Sequence, residues 1–194
     1  MTLPGLSVLT HSHQFKPPSC ALPSCVVEFA PKHEAVYPFN PQHKHDHTKL
    51  KLLAKDLTKD YPRSPRETLA GYVVAARTLD KCRAVAAGTA GEYHFDCPLD
   101  NYFPGFTGIR PGQFKAFVTT GATDAEVTAW IEQHSQIKSR TEVIAWNNKM
   151  RCTRVCDMPI ELQEFLEGYI PQVVPKNRPV YVWFDVYDLE EKRM

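Results

Sequence analysis

Between Ser64 and Ala87 apolar residues recur at a helical period, and on almost every side of the helix they imply. Ser64-Pro65-Arg66-Glu67 has the form of a capping box, with proline at the first helical position, where its missing N–H does no harm. The pattern predicts one long helix from Pro65 to about Ala87, stopped by Gly88. Thr123-Asp124-Ala125-Glu126 is a second capping box, opening a helix through Val127, Trp130 and Ile131. Ser139-Arg140-Thr141-Glu142 is a third, leading into Val143, Ile144 and Trp146. Pro111 opens a shorter helix through Phe114, Phe117 and Val118, closed by Gly121. Pro159 opens another through Leu162, Phe165 and Leu166, closed by Gly168. The last segment reads two ways. Val180, Val182, Phe184 and Val186 alternate as in a short strand, whereas Trp183, Phe184 and Tyr187 share a helical face that ends in an acidic turn.

The first 48 residues show neither period. Seven prolines (Pro4, Pro17, Pro18, Pro23, Pro31, Pro38, Pro41) and six of the eight histidines fall there, a density that prevents helices and interrupts sheet ladders. The predicted architecture is therefore mainly α. A single compact helical domain occupies residues 49–194, preceded by an extended or disordered Pro/His-rich arm over 1–48, with one short C-terminal strand as a variant.

A net charge of +1 with 23% charged residues gives no field strong enough to argue for nucleic acid or an anionic membrane. No apolar run approaches the length of a membrane span. The expected partners are thus neither nucleic acid nor membrane, and a homo-oligomer is compatible with the composition. Six cysteines could form three disulfides, but no charged-then-apolar leader is visible, so reduced thiols and a cytoplasmic setting are expected.

Against this ordinary background the long predicted helix is unusual in its charges. With residues about 100° apart around it, Leu69, Tyr72, Ala75, Ala76, Leu79, Ala86 and Ala87 fill one broad arc. Arg83 falls inside that arc, Asp80 lies at its edge, and Arg77 and Lys81 share the next face. A buried charge is costly unless paired. Arg83 therefore needs an acid, either Asp80 three residues back or Glu92, Asp96 or Asp100 in the following loop. One reading is a structural ion-pair network. The other is a cationic grip on a carboxylate or phosphate ligand, a task that suits the planar arginine fork.

The loop from Gly88 to Asp100 crowds Glu92, Tyr93, His94, Asp96, Cys97 and Asp100 into nine residues. Its glycines follow a helix and do not lead into one, so it is not a phosphate cradle. Cys97 beside His94 suggests a nucleophile and base, and Glu92 with Asp100 an acid–base pair. His43, His45 and His47, with His11 and His13, could hold a divalent ion, yet they lie in the arm without a rigid frame. Cys20 with Cys25 and Cys152 with Cys156 lack the spacing of common zinc knuckles. No metal and no cofactor is assigned.

The segments SPRETLAGY, LDKCRA, GTAGEY and CPLD, with the later TDAEVTAWI and AWN, together resemble a bacterial domain-of-unknown-function family, family 5069. The resemblance covers about residues 57–150, with a looser match at the tail. It implies a small, mainly helical cytoplasmic protein and supplies no activity. The positions that match the family pattern are Asp80, Lys81, Arg83, Glu92, Tyr93, Cys97 and Asp100. His94 and Cys82 stand outside it, which weakens a Cys97–His94 dyad, and the arm has no counterpart.

The expectation is a small helical protein that binds a small anionic metabolite, with transformation of that ligand left open. Arg77, Asp80, Lys81, Arg83 and Tyr93 form the candidate binding set. Glu92, Asp100 and Cys97 are the catalytic candidates. The alternative is a non-catalytic interaction module whose charges form an internal salt-bridge network.

Overall fold

A computed structural model describes residues 47–137 and 139–194. The predicted arm, its histidine tracts, Cys20 and Cys25 lie, up to residue 46, outside the described residues. Eight α-helices and one 3₁₀ turn at Val155–Asp157 make up the architecture, with no strand among the described residues. The helices are α1 (His47–Leu53), α2 (Ala75–Ala87), α3 (Tyr102–Thr107), α4 (Pro111–Val118), α5 (Asp124–His134), α6 (Arg140–Cys152), α7 (Ile160–Val173) and α8 (Trp183–Glu190).

The central element is α2, whose residues from Ala75 through Ala84 are all buried. It is shorter than its sequence pattern predicts. The bonds expected at Ser64 do form: its N–H donates to Glu67 Oε1 at 3.1 Å, and Arg66 N–H donates to Ser64 Oγ at 3.1 Å. No helix grows from them. Ala70, Gly71 and Val74 all take positive φ (52°, 81° and 67°), so the chain folds into consecutive turns closed by reciprocal bonds between Leu69 and Tyr72. A valine in that region is strained and persists only when its surroundings fix it. Here they do. Asn147 of α6 accepts the Val73 N–H at 3.1 Å and donates to the Gly71 carbonyl at 2.7 Å, while Val74 N–H donates to the Pro65 carbonyl at 2.9 Å. Tertiary bonds thus take the groups that helical bonds would have used, and regular helix begins only at Ala75. Its far end matches expectation: Gly88, at φ 77°, closes α2, and Thr89 N–H caps the Ala84 carbonyl.

Thr123 and Ser139 cap α5 and α6 as their sequences predict, each accepting from the backbone N–H three residues on. Pro111 opens α4. The helix after Pro159 does not stop at Gly168, which avoids the left-handed region; α7 runs on to Val173 with Pro171 in its last turn. The C-terminal ambiguity resolves as helix. Asp185 accepts the N–H groups of Tyr181 and Val182 at 2.8 and 3.0 Å, which organises the first turn of α8, and no strand among the described residues could pair with an extended tail.

Around α2 lie α1 and α4, while α6 and α7 pack on α8. One end of the core is aromatic: Tyr72 lies 5.6 Å from Phe103, and Phe106 stacks on Trp146 at 4.7 Å. The other end is open.

Candidate functional site

That open end holds a cavity of about 920 Å³, large enough for a small organic molecule. Its floor is Arg77 and Lys81 of α2. One wall is the loop after α2, carrying Glu92, Tyr93, His94 and Cys97, and the opposite wall is α7 and α8, with Leu162, Phe165, Tyr169, Trp183, Tyr187 and Glu190. The loop is held in place at Gly91. A Cβ there would stand 3.0 Å from the Leu57 carbonyl oxygen, and φ is 58°, so the backbones of Gly91 and Leu57 approach as only glycine allows. The contact brings Leu57 and Thr58 to the cavity rim.

The charged cluster of α2 divides in two. Asp80 and Arg83 turn away from the cavity and close a chain of alternating charges. Arg63 donates to Asp80 from Nε and Nη2 at 3.0 and 2.7 Å and from Nη1 to Asp124 at 2.7 Å. Arg83 donates to the other oxygen of Asp124 at 2.6 Å and to the Ala122 carbonyl at 2.8 Å. The partner of Arg83 is therefore Asp124, at the start of α5, and none of the nearer acids Asp80, Glu92, Asp96 or Asp100. Burial raises the Asp124 carboxyl, but the hydrogen bonds from Arg83 and Arg63 outweigh it and hold the group below its ordinary 3.8. A depressed carboxyl stabilises the fold above that ordinary value and ceases to do so as pH drops through the folded value. Asp124→Asn is expected to cost about 1 kcal/mol at neutral pH, after allowance for its half-exposed position. That cost vanishes in acid, and urea unfolding at both pH values measures it.

Arg77 and Lys81 face the cavity, and both are paired. Arg77 makes a two-pronged contact with Glu191 of the C-terminus at 2.9 and 2.6 Å, with both side chains buried. Its guanidinium lies between the rings of Tyr93 and Tyr187, 5.6 and 5.1 Å from their centres. The Tyr93 hydroxyl also donates to Glu191, at 3.0 Å. Burial first, and then the Glu191 charge, pushes that phenol up, so it stays a donor. Nε of Arg77 is buried with no hydrogen-bond partner among the described residues. Lys81 forms an ion pair with Asp100 at 2.8 Å and donates to the Cys97 sulfur at 3.1 Å. An ammonium has three donors, so at least one remains without a partner among the described residues. Asp100 sits behind Lys81, 1% exposed, and also accepts from the Thr78 hydroxyl.

Of the eight residues singled out from sequence, Arg77, Lys81, Glu92, Tyr93 and Cys97 border the cavity. Asp100 touches Lys81 from behind, and Asp80 and Arg83 belong to the separate network. A family model, that of the domain of unknown function DUF5069, matches residues 59–193. The chain belongs to the DUF5069 family. The match runs past the aromatic tail, and every cavity-lining residue except Leu57 and Thr58 falls within it. A search of curated proteins gives no match. No described helix is long and apolar enough to cross a membrane.

The DUF5069 domain also brings to the site residues that sequence reasoning missed: Glu190, Glu191, Tyr169 and Tyr187. Tyr169 donates to Glu190 at 2.7 Å. Burial, and after it the charges of Glu191 and Glu92, hold the Glu190 carboxyl above its ordinary 4.5 despite that bond. The signal for these residues was the amphipathic reading of Trp183, Phe184 and Tyr187, which places the acidic pair at the end of a packed helix. The strand alternative obscured it.

Proposed function

We propose that this protein binds a small amphipathic molecule in the cavity, with an apolar or aromatic body and an anionic end. The body would lie against Leu162, Phe165, Tyr169, Trp183 and Tyr187. Its anionic end, a carboxylate or phosphate, would meet the unused donor of Lys81. The observation that carries the reading is the conjunction of that donor with a cavity of ligand size walled mainly by aromatic and aliphatic side chains. Arg77, matched by Glu191 and clasped by two rings, serves to shape the floor more than to hold the ligand.

The second reading, a structural charge network, is favoured for the other half of the cluster. Arg63, Asp80, Asp124 and Arg83 pair with one another, and only Nε of Arg83 is without a partner among the described residues. The two readings therefore apply to different faces of α2.

A thermal-shift screen of aromatic and aliphatic carboxylates and phosphate esters tests the binding reading. A ligand at about 100 times its Kd should raise Tm by about 5–10 °C for a domain of this size. Leu162→Trp fills the cavity from a half-buried position on α7 and is expected to abolish the shift with little change in the ligand-free Tm. A panel that moves nothing, or hits that survive Leu162→Trp, would overturn the proposal.

A further inference from the structure

We infer that Cys97 is the nucleophile of an acyl-transfer site, and that its substrates are thioesters or activated esters of apolar or aromatic carboxylic acids. The inference rests on the cavity as a binding site and adds a chemistry to it. Two independent observations meet at the sulfur. Cys97 borders the cavity, half-buried, between the loop wall and the floor. Lys81, whose side chain is only 4% exposed, borders the same cavity with its nitrogen 3.1 Å from that sulfur and one donor unused. A carbonyl carbon in contact with the sulfur would place its oxygen within reach of that donor. A nucleophile and an electrostatic stabiliser side by side at the floor of a pocket form the minimal arrangement for attack on an acyl group. The apolar walls suit the acyl chain.

The step balances without an oxidant or a metal. The Cys97 sulfur attacks the carbonyl carbon, a carbon–sulfur bond forms, and the carbonyl oxygen takes negative charge beside Lys81. Collapse breaks the bond to the leaving group, which departs as a thiol or alcohol carrying the proton that began on Cys97. Water then hydrolyses the Cys97 thioester, returning the thiol and releasing a carboxylic acid. That product, ionised, has the anionic end proposed above.

The other described thiols provide the comparison. Burial pushes Cys82 up to about 12 and it does not border the cavity, while Cys152 and Cys156 are exposed. By access alone the two exposed thiols should react first.

The test treats the full chain with p-nitrophenyl butyrate, follows p-nitrophenolate release, and locates the butyryl group by peptide mass. The expected result is one equivalent on Cys97, formed at least about ten times faster than on Cys152 or Cys156, with the burst lost in Cys97→Ala. Comparison within the wild-type chain needs no variant to fold. The unreactive amide, N-(4-nitrophenyl)butanamide, is assayed in parallel by thermal shift on wild type and Leu162→Trp. Labelling of Cys97 no faster than of the exposed thiols overturns the nucleophile, whatever the amide does. An amide shift that is lost in Leu162→Trp would then leave the binding reading standing alone.

Discussion

Glu191→Ala is expected to destabilise the domain by about 3–5 kcal/mol, because it leaves the Arg77 guanidinium buried without its counter-charge. Glu191 is 2% exposed and accepts from both terminal nitrogens of Arg77, from the Tyr93 hydroxyl and from Arg193, so four donors lose their acceptor at once. Its chain neighbour supplies the control. Glu190 is only half-buried and its charged form is already disfavoured, so Glu190→Gln should stay within about 0.5 kcal/mol of wild type. Urea unfolding of the two variants separates a buried ion pair from a nonspecific effect of acidic residues near the C-terminus. Equal losses would show that the Arg77–Glu191 contact does not carry the stability assigned to it.

The second large effect is expected at Asp100. Asp100→Ala removes the counter-charge of Lys81 and the acceptor of the Thr78 hydroxyl inside the fold, with an expected loss of about 3–5 kcal/mol. A residue whose role was only to move protons for a substrate would behave differently: stability would hold while turnover fell. The pair can also be replaced as a unit. Lys81→Met with Asp100→Leu removes both charges in similar volume, and buried pairs exchanged in this way often recover most of the single-mutant loss. A double variant as unstable as Asp100→Ala would mean that Thr78 and the Cys97 N–H, which donates to Asp100 at 3.4 Å, and not the ion pair, depend on the carboxylate. The same double variant should leave any butyrylation of Cys97 slowed, since the donor beside the sulfur is gone.

Much of the helical frame was legible because local chemistry and tertiary structure agree at Thr123, Ser139, Pro111 and Gly88. Disagreement began where tertiary bonds compete with helical ones. The capping bonds at Ser64 form, yet Asn147, 76 residues from Gly71, captures the turn that follows, and no periodicity in residues 65–74 could announce that. Placing Arg83 on a wheel identified a buried charge, but not its partner, because Asp124 comes from another helix. Arg77 and Glu191 are 114 residues apart for the same reason. The loop residues Glu92, Tyr93 and Cys97 were found because they crowd together in sequence. The α7 and α8 side of the cavity was not, since its residues look like ordinary amphipathic positions until a floor is placed beneath them.

The two sides of the cavity differ in how firmly they are held, and this sets its dynamics. Ten consecutive residues of α2 are buried, whereas α7 has one, Leu166, and exposes Ile160 and Phe165. The other α7 contacts with the core, from Leu162, Tyr169, Ile170 and Val173, are half-buried, and amides of such a helix open locally more readily than those of a fully packed one. Amide exchange is therefore expected to be faster in α7 than in α2, and a molecule bound as proposed would leave by opening of the α7 side.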